Sequence, residues 1–467
     1  MNISEENKRF FVLDIIRGLA VLLMVLAHSV YFFHNGTNPV ILGLEKIGNT
    51  LAFTTFLIVS GASTYIAYLK NVDLIAVKRK RLLNRVFVLL FSYYTLAIII
   101  ESKAITSAEG LGGFKQFFDI IIFKNIPSYT QFIPPFIFFS LFVYFFPKFL
   151  QSISTSAIKS FLFSTYIYIT GIAIGLLTFP GPLNFIKLNL VGDQGAFRFP
   201  LLYYAPIFIL GTVWGCWLTC KQHQKNKEEI SKFLSVVSLF GILSIIAVLL
   251  TSNKGLSVFS LRWPPSIPFL LIGTFFTFTL ATILYWLKQL RSFPLVRDVF
   301  LLLGQNAYGV FWSHTLIISL FALSGGSKVG STTIFILITI LVLIISTALA
   351  TFIPFNFKFT LTFHNKNHDE EDALLHSEPI YRMGDELYTD ATRDIKKLKS
   401  FFFPKHTGDQ TQERLIKKRH FLAGTIIVIL FSLITLPSFS EEAQKIFSPQ
   451  NSPDWYKDDF TYRSTLE

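Results

Sequence analysis

The chain has 467 residues, 52% of them hydrophobic and 15% charged, with a formal net charge of +13. A soluble domain carries about 25% charge, so this balance excludes an ordinary soluble enzyme and points to an all-α, polytopic transmembrane helical bundle. The positive charge does not signal nucleic acid, because Lys and Arg cluster in the loops between apolar runs, the positive-inside pattern of membrane proteins.

Runs of about twenty apolar residues, long enough to cross about 30 Å of hydrocarbon, recur about eleven times. They lie at roughly 10–33, 47–69, 83–102, 130–150, 158–179, 200–220, 232–251, 266–288, 299–323, 331–354 and 420–437. The first, FFVLDIIRGLAVLLMVLAHSVYFF, is followed by no A-x-A-like site and is expected to stay as a span. It carries Asp14, Arg17 and His28. At about 100° per residue, Arg17 and His28 fall about 20° apart, and Asp14 within about 40° of His28. An Asp or Arg in hydrocarbon costs roughly 2.5–3.5 kcal/mol, so such a stripe is expected to line a polar cavity. Asp14 and Arg17 also suit a local i, i+3 ion pair. His28 suits general-base work. His34, at the outer end, is a weaker candidate.

The second run contains FLIVSGAS, where Ser60, Gly61, Ala62 and Ser63 allow close helix approach, or let a substrate arm pass Gly61. A basic stretch, Lys78, Arg79, Lys80, Arg81 and Arg85, opens the third run. It fits both a cytoplasmic topology signal and a grip on a phosphate-bearing donor. Phe117–Phe123 is too short to span and reads as interfacial or re-entrant, and Pro134-Pro135 is expected to interrupt the fourth run. Cys216 and Cys220, four apart in one apolar helix, form neither a conventional disulfide nor a metal site. The ninth run, LLGQNAYGVFWSHTL, holds Gln305, Asn306, Tyr308, Ser313 and His314, a polar load that suggests a second wall of the cavity. No broken-helix pair of the transporter kind is evident between halves.

Placing Lys8 and Arg9 in the cytoplasm keeps the densest basic loops inside and the C-terminal tail outside. The domain reading is then a core at 8–354, a polar cytoplasmic insertion at 356–420, an added span at 420–437 and an extracytoplasmic tail at 438–467. His364 and His368 lie beside acids, which fits a solvated loop better than a metal site.

Together these motifs resemble the acyltransferase-3 family of integral membrane acyltransferases. The match rests on Leu13-Asp14 with Arg17-Gly18 and His28, then Phe56 with Ser60-Gly61, then KRKRLLNR at Lys78–Arg85. It closes on Leu303-Gly304-Gln305-Asn306-Ala307-Tyr308-Gly309-Val310 with His314. The resemblance implies transfer of an acyl group, often acetyl, from cytoplasmic acyl-CoA to a hydroxyl of an extracytoplasmic or lipid-linked saccharide. The acyl-CoA is a co-substrate, with no bound cofactor or metal. The implied catalytic residues are His28, Arg17 and Asp14, with Arg79, Arg81 and Arg85 holding the donor. Ser60, Gly61, Asn306, Tyr308 and His314 line the cavity. His28 either deprotonates the acceptor or carries the acyl group transiently. The expected partners are the lipid bilayer, the acyl donor and the glycan, and the expected site is a bacterial inner membrane. An amino-sugar N-acetyltransferase of the heparan glucosaminide type and a transporter or flippase stay open as alternatives.

Overall fold

The computed structural model describes residues 10–35, 38–108, 111–192, 198–219, 234–239, 241–243, 245–246, 265–287, 293–324, 326 and 328–352. The expected insertion, the span at 420–437, the tail, Cys220 and most of 232–251 lie outside these residues. The described chain is helical: α1 (Phe11–Phe33), α2 (Pro39–Thr64, prolonged by a π-helical turn at Tyr65–Leu69), α3 (Ile75–Ile100), α4 (Ser102–Ser107) and α5 (Gly112–Ile121). Then follow α6 (Ile133–Phe145), α7 (Pro147–Ser154), α8 (Ala157–Leu176), α9 (Asn184–Val191) and α10 (Leu201–Thr219). The last are α11 (Ile267–Trp286), α12 (Pro294–Gln305), α13 (Ala307–Leu323) and α14 (Thr332–Phe352). Among the described residues, seven helices are long and apolar enough to span a membrane, or up to nine if each bent pair is one span.

Two of the expected spans prove to be broken. Pro134 and Pro135 do not interrupt the fourth; they occupy the first turn of α6, where a missing N–H leaves no hydrogen bond unmade. The break comes at Phe146, pushed out of helical geometry by Pro147, and α7 departs from α6 by 99°. The ninth span bends by 77° at Asn306, whose side-chain amide donates to the Leu302 carbonyl at 2.9 Å. Helical periodicity gave no warning of this bend, because no proline marks it. Asn38 caps α2 by accepting the Val40 N–H at 3.0 Å, and Ser266 caps α11 by accepting that of Phe269 at 3.3 Å.

Between spans packed in lipid there is little hydrophobic drive, so small residues decide where helices touch. α1 meets α12 at Gly18 and Gly304: a Cβ on Gly304 would lie 2.7 Å from the Asp14 carbonyl carbon and 3.0 Å from the Gly18 nitrogen. α2 meets α10 at Gly61 and Gly211, where a Cβ on Gly61 would lie 3.0 Å from the Gly211 Cα. α1 and α2 therefore sit at the centre of the bundle. α8 is peripheral, turning Ile158, Phe161, Leu162, Tyr166, Ile169 and Ile172 outward as a lipid-facing helix would. α5, where Phe117–Phe123 was expected to be too short to span, is a ten-residue helix with Phe114, Phe117 and Phe118 exposed. At the end of α1, backbone bonds join Asn35 N–H to the Val329 carbonyl (3.0 Å) and Val329 N–H to the Phe33 carbonyl (2.7 Å). These tie α1 to the segment before α14.

Candidate active site

The stripe read on the first span becomes two clusters at different depths. Near the start of α1, Arg17 donates through Nη1 to Asp14 Oδ1 at 3.1 Å and through Nη2 to Ser63 Oγ at 2.7 Å. Asp14 is buried and Arg17 partly so. From the other side α3 brings Arg85, whose Nη2 donates to Ser60 Oγ at 3.1 Å. Ser60 and Ser63 are i, i+3 neighbours, so one face of α2 receives two guanidinium groups from two different helices. Tyr308 of α13 closes this region: its hydroxyl lies beside Ser92 and within the field of Arg85, and it reaches the Val88 carbonyl at 3.4 Å. Two arginines against one acid leave this region positively charged.

Eleven residues along α1, about 16 Å at standard rise, stands His28. Its Nδ1 is 3.0 Å from Nε2 of His314, the two rings tilted by 22° with centroids 5.2 Å apart. His314 is fully buried, and its Nδ1 lies 2.9 Å from the Val310 carbonyl one turn back on α13. Tyr129 meets the His28 ring edge-on, 4.9 Å between centroids at 83°. Tyr129 has φ of 67°, an uncommon backbone state for an aromatic residue, and its N–H donates to Gln131 Oε1 at 3.2 Å. Phe132 and Phe311, 3.7 Å apart, complete the wall beside His314.

The loop that carries Tyr129 is anchored from α9 and from the segment just before α10. Arg198 donates to the carbonyls of Phe123 (3.4 Å) and Lys124 (2.6 Å) and to Asn189 Oδ1 (3.1 Å). Burial pushes its guanidinium down to about 10, still well above neutral pH, so it stays charged. A small cleft of about 10 Å³, lined by Gln131, Asn189 and Arg198 among others, lies along this loop.

The remaining expected site residues divide. Arg81 is half-buried, 40° around α3 from Arg85 by helical geometry, whereas Arg79 is exposed and stacks over the Tyr144 ring at 5.5 Å. The basic stretch therefore has two faces, and only one of them turns with Arg85. Gly61 serves the α2–α10 contact, and Asn306 forms the bend between α12 and α13. His34 is buried at the end of α1 against Phe335, and among the described residues neither ring nitrogen has a hydrogen-bond partner. Tyr129, Gln131 and Ser92 were not singled out in the sequence, since nothing local marks a loop tyrosine as the neighbour of a histidine a hundred residues earlier. Among the described residues no group of three His, Cys, Asp or Glu is placed to hold a metal ion.

A family model described as an acyltransferase domain matches residues 11–351, which takes in both clusters. No curated protein matches the chain.

Proposed function

Because the chain belongs to the acyltransferase-3 family of membrane acyltransferases, we propose that it transfers an acyl group, acetyl foremost, from a cytoplasmic acyl-CoA to a saccharide hydroxyl. The acceptor is an extracytoplasmic or lipid-linked glycan. The observation that carries this reading is the separation of charge from base along one helix. Two arginines gather on α2 near the start of α1, and a histidine pair stands about 16 Å further on.

Guanidinium groups bind phosphate bidentately, so Arg85, with Arg81 on the same face, suits the phosphates of the donor. Arg17 is held by Asp14 and Ser63 and suits a fixed polar contact partway along the donor's arm. The arm then delivers its thioester toward His28. In the reaction, His28 takes the proton of the acceptor hydroxyl as that oxygen attacks the thioester carbon. The C–S bond breaks, and the departing thiolate recovers the proton from His28. The ester is formed, free thiol is released, and the enzyme returns unchanged. Phe132, Phe311 and Tyr129 exclude water around the pair and so limit hydrolysis of the thioester.

Radiolabelled acetyl-CoA supplied to inside-out vesicles tests this. Label reaching a saccharide with wild type and not with His28→Ala is the expected result. Equal labelling by both proteins would remove His28 from the reaction.

A further inference from the structure

We infer that His314 is a positioning residue that fixes the tautomer of His28 and thereby selects Nε2 as its reacting nitrogen. The inference rests on the acyl-transfer reading for its consequence, and on hydrogen-bond counting for its substance.

The count starts at the carbonyl of Val310. A carbonyl oxygen only accepts, so the contact at 2.9 Å requires the hydrogen of His314 to sit on Nδ1. A neutral imidazole has a single N–H, so His314 Nε2 is left as an acceptor. A second proton would place a whole charge on a ring with no exposure, whose hydrogen bonds among the described residues go to a carbonyl and another imidazole and not to a carboxylate. Nε2 of His314 faces Nδ1 of His28 at 3.0 Å, so Nδ1 of His28 must be the donor. The hydrogen of His28 is then spent on His314, and Nε2 is its basic nitrogen. The direction of every hydrogen in the chain follows from one backbone oxygen.

This arrangement replaces a carboxylate. In a Ser-His-Asp site, the acid orients the imidazole and stabilises the imidazolium. Here the one acid on the stripe, Asp14, is engaged by Arg17 and stands about 21 Å along the helix from His28. At that distance it cannot orient His28. A second histidine backed by a helix carbonyl does so instead. When His28 takes the acceptor's proton on Nε2, the charge that forms is shared through Nδ1–H with His314 Nε2. It returns to zero when the thiolate recovers the proton. Tyr129, set edge-on to His28, holds the ring plane in which that bond stays short.

The test uses the full chain in lipid nanodiscs with ring-¹⁵N histidine, and compares wild type, His314→Phe and His314→Gln. In wild type, His28, identified by the signal lost in His28→Ala, is expected to show a protonated Nδ1 and an unprotonated Nε2. His314→Phe keeps the ring and removes the acceptor. It is expected to lower kcat by about 10²–10³-fold, with the KM for acetyl-CoA changed by less than about threefold. His314→Gln returns an acceptor oxygen to the same reach and is expected to recover most of kcat and the Nδ1–H signal. A wild-type His28 protonated on Nε2, or a His314→Phe enzyme with wild-type kcat, overturns the inference. Absence of acyl transfer in wild type would strike the proposed function alone, because the nitrogen signals assign the tautomer without turnover.

Discussion

Substituting Gly304 by alanine tests whether the α1–α12 crossing sets the geometry of the arginine cluster. An added Cβ would stand 2.7 Å from the Asp14 carbonyl carbon and 3.0 Å from the Gly18 nitrogen. The Asp14 carbonyl oxygen is nearer still, relaxed carbon contacts lie at about 3.5–4.0 Å, and every obstacle is backbone, so the helices must part by more than about 1 Å. Overpacking of this kind costs about 1–3 kcal/mol. Asp14 and Arg17 ride on α1, and a displacement of about 1 Å near a reacting group lowers rates on the order of 10²-fold. Gly304→Ala is therefore expected to lower the unfolding midpoint moderately and acyl transfer severely. Gly43 of α2 supplies the control, since nothing lies within 4 Å of a Cβ built there. Gly43→Ala is expected to stabilise the protein by about 0.5–1 kcal/mol, through the lower chain entropy of alanine, without loss of activity. Thermal unfolding in detergent and vesicle transfer assays read both quantities. If Gly304→Ala matches wild type in both, the close backbone crossing is not there and the reasoning fails.

His28→Ala should lower turnover by about 10²–10⁴-fold while leaving expression and insertion unchanged, as single-turnover labelling and melting curves would record. Arg17→Lys keeps the charge but loses the fork that joins Asp14 to Ser63. A loss of about tenfold or more in kcat/KM is expected, and wild-type kinetics would show that the fork is idle. Arg85→Ala and Arg81→Ala should raise the KM for acyl-CoA more than they lower kcat, whereas Arg79→Ala, on the other face, should do neither. The His34 imidazole is held below its ordinary 6.5 first by burial and second by the nearby Lys328. The unfolded chain therefore binds a proton before the folded one does, so stability should fall as pH drops below about 6.5 and be unaffected by this group above it. His34→Asn should flatten that part of the pH–stability curve; an unchanged slope would place the acid sensitivity elsewhere.

Composition and hydrophobic run length alone were enough to specify a helical membrane protein, because lipid leaves few other ways to satisfy the backbone. Local periodicity was enough to put Asp14, Arg17 and His28 on one stripe, since a helix converts spacing into direction. The late motif was likewise legible as a second polar wall. Other features depended on partners far away in the chain. Ser60 was expected to line the cavity and Ser63 to serve helix packing, but neither spacing nor motif showed that α1 and α3 deliver an arginine to each. That Asp14 and His28 stand at different depths was legible from helical rise along the first span, but which groups each of them meets was not. Asn306 bends its span with no proline to announce it, and this bend lies between the Gly304 crossing and Tyr308. Tyr129 and His314 reach His28 only through packing across the bundle. A sequence determines which groups a helix carries and at what angle; which of them meet is decided by how closely the helices cross, and here a few glycine contacts make that decision.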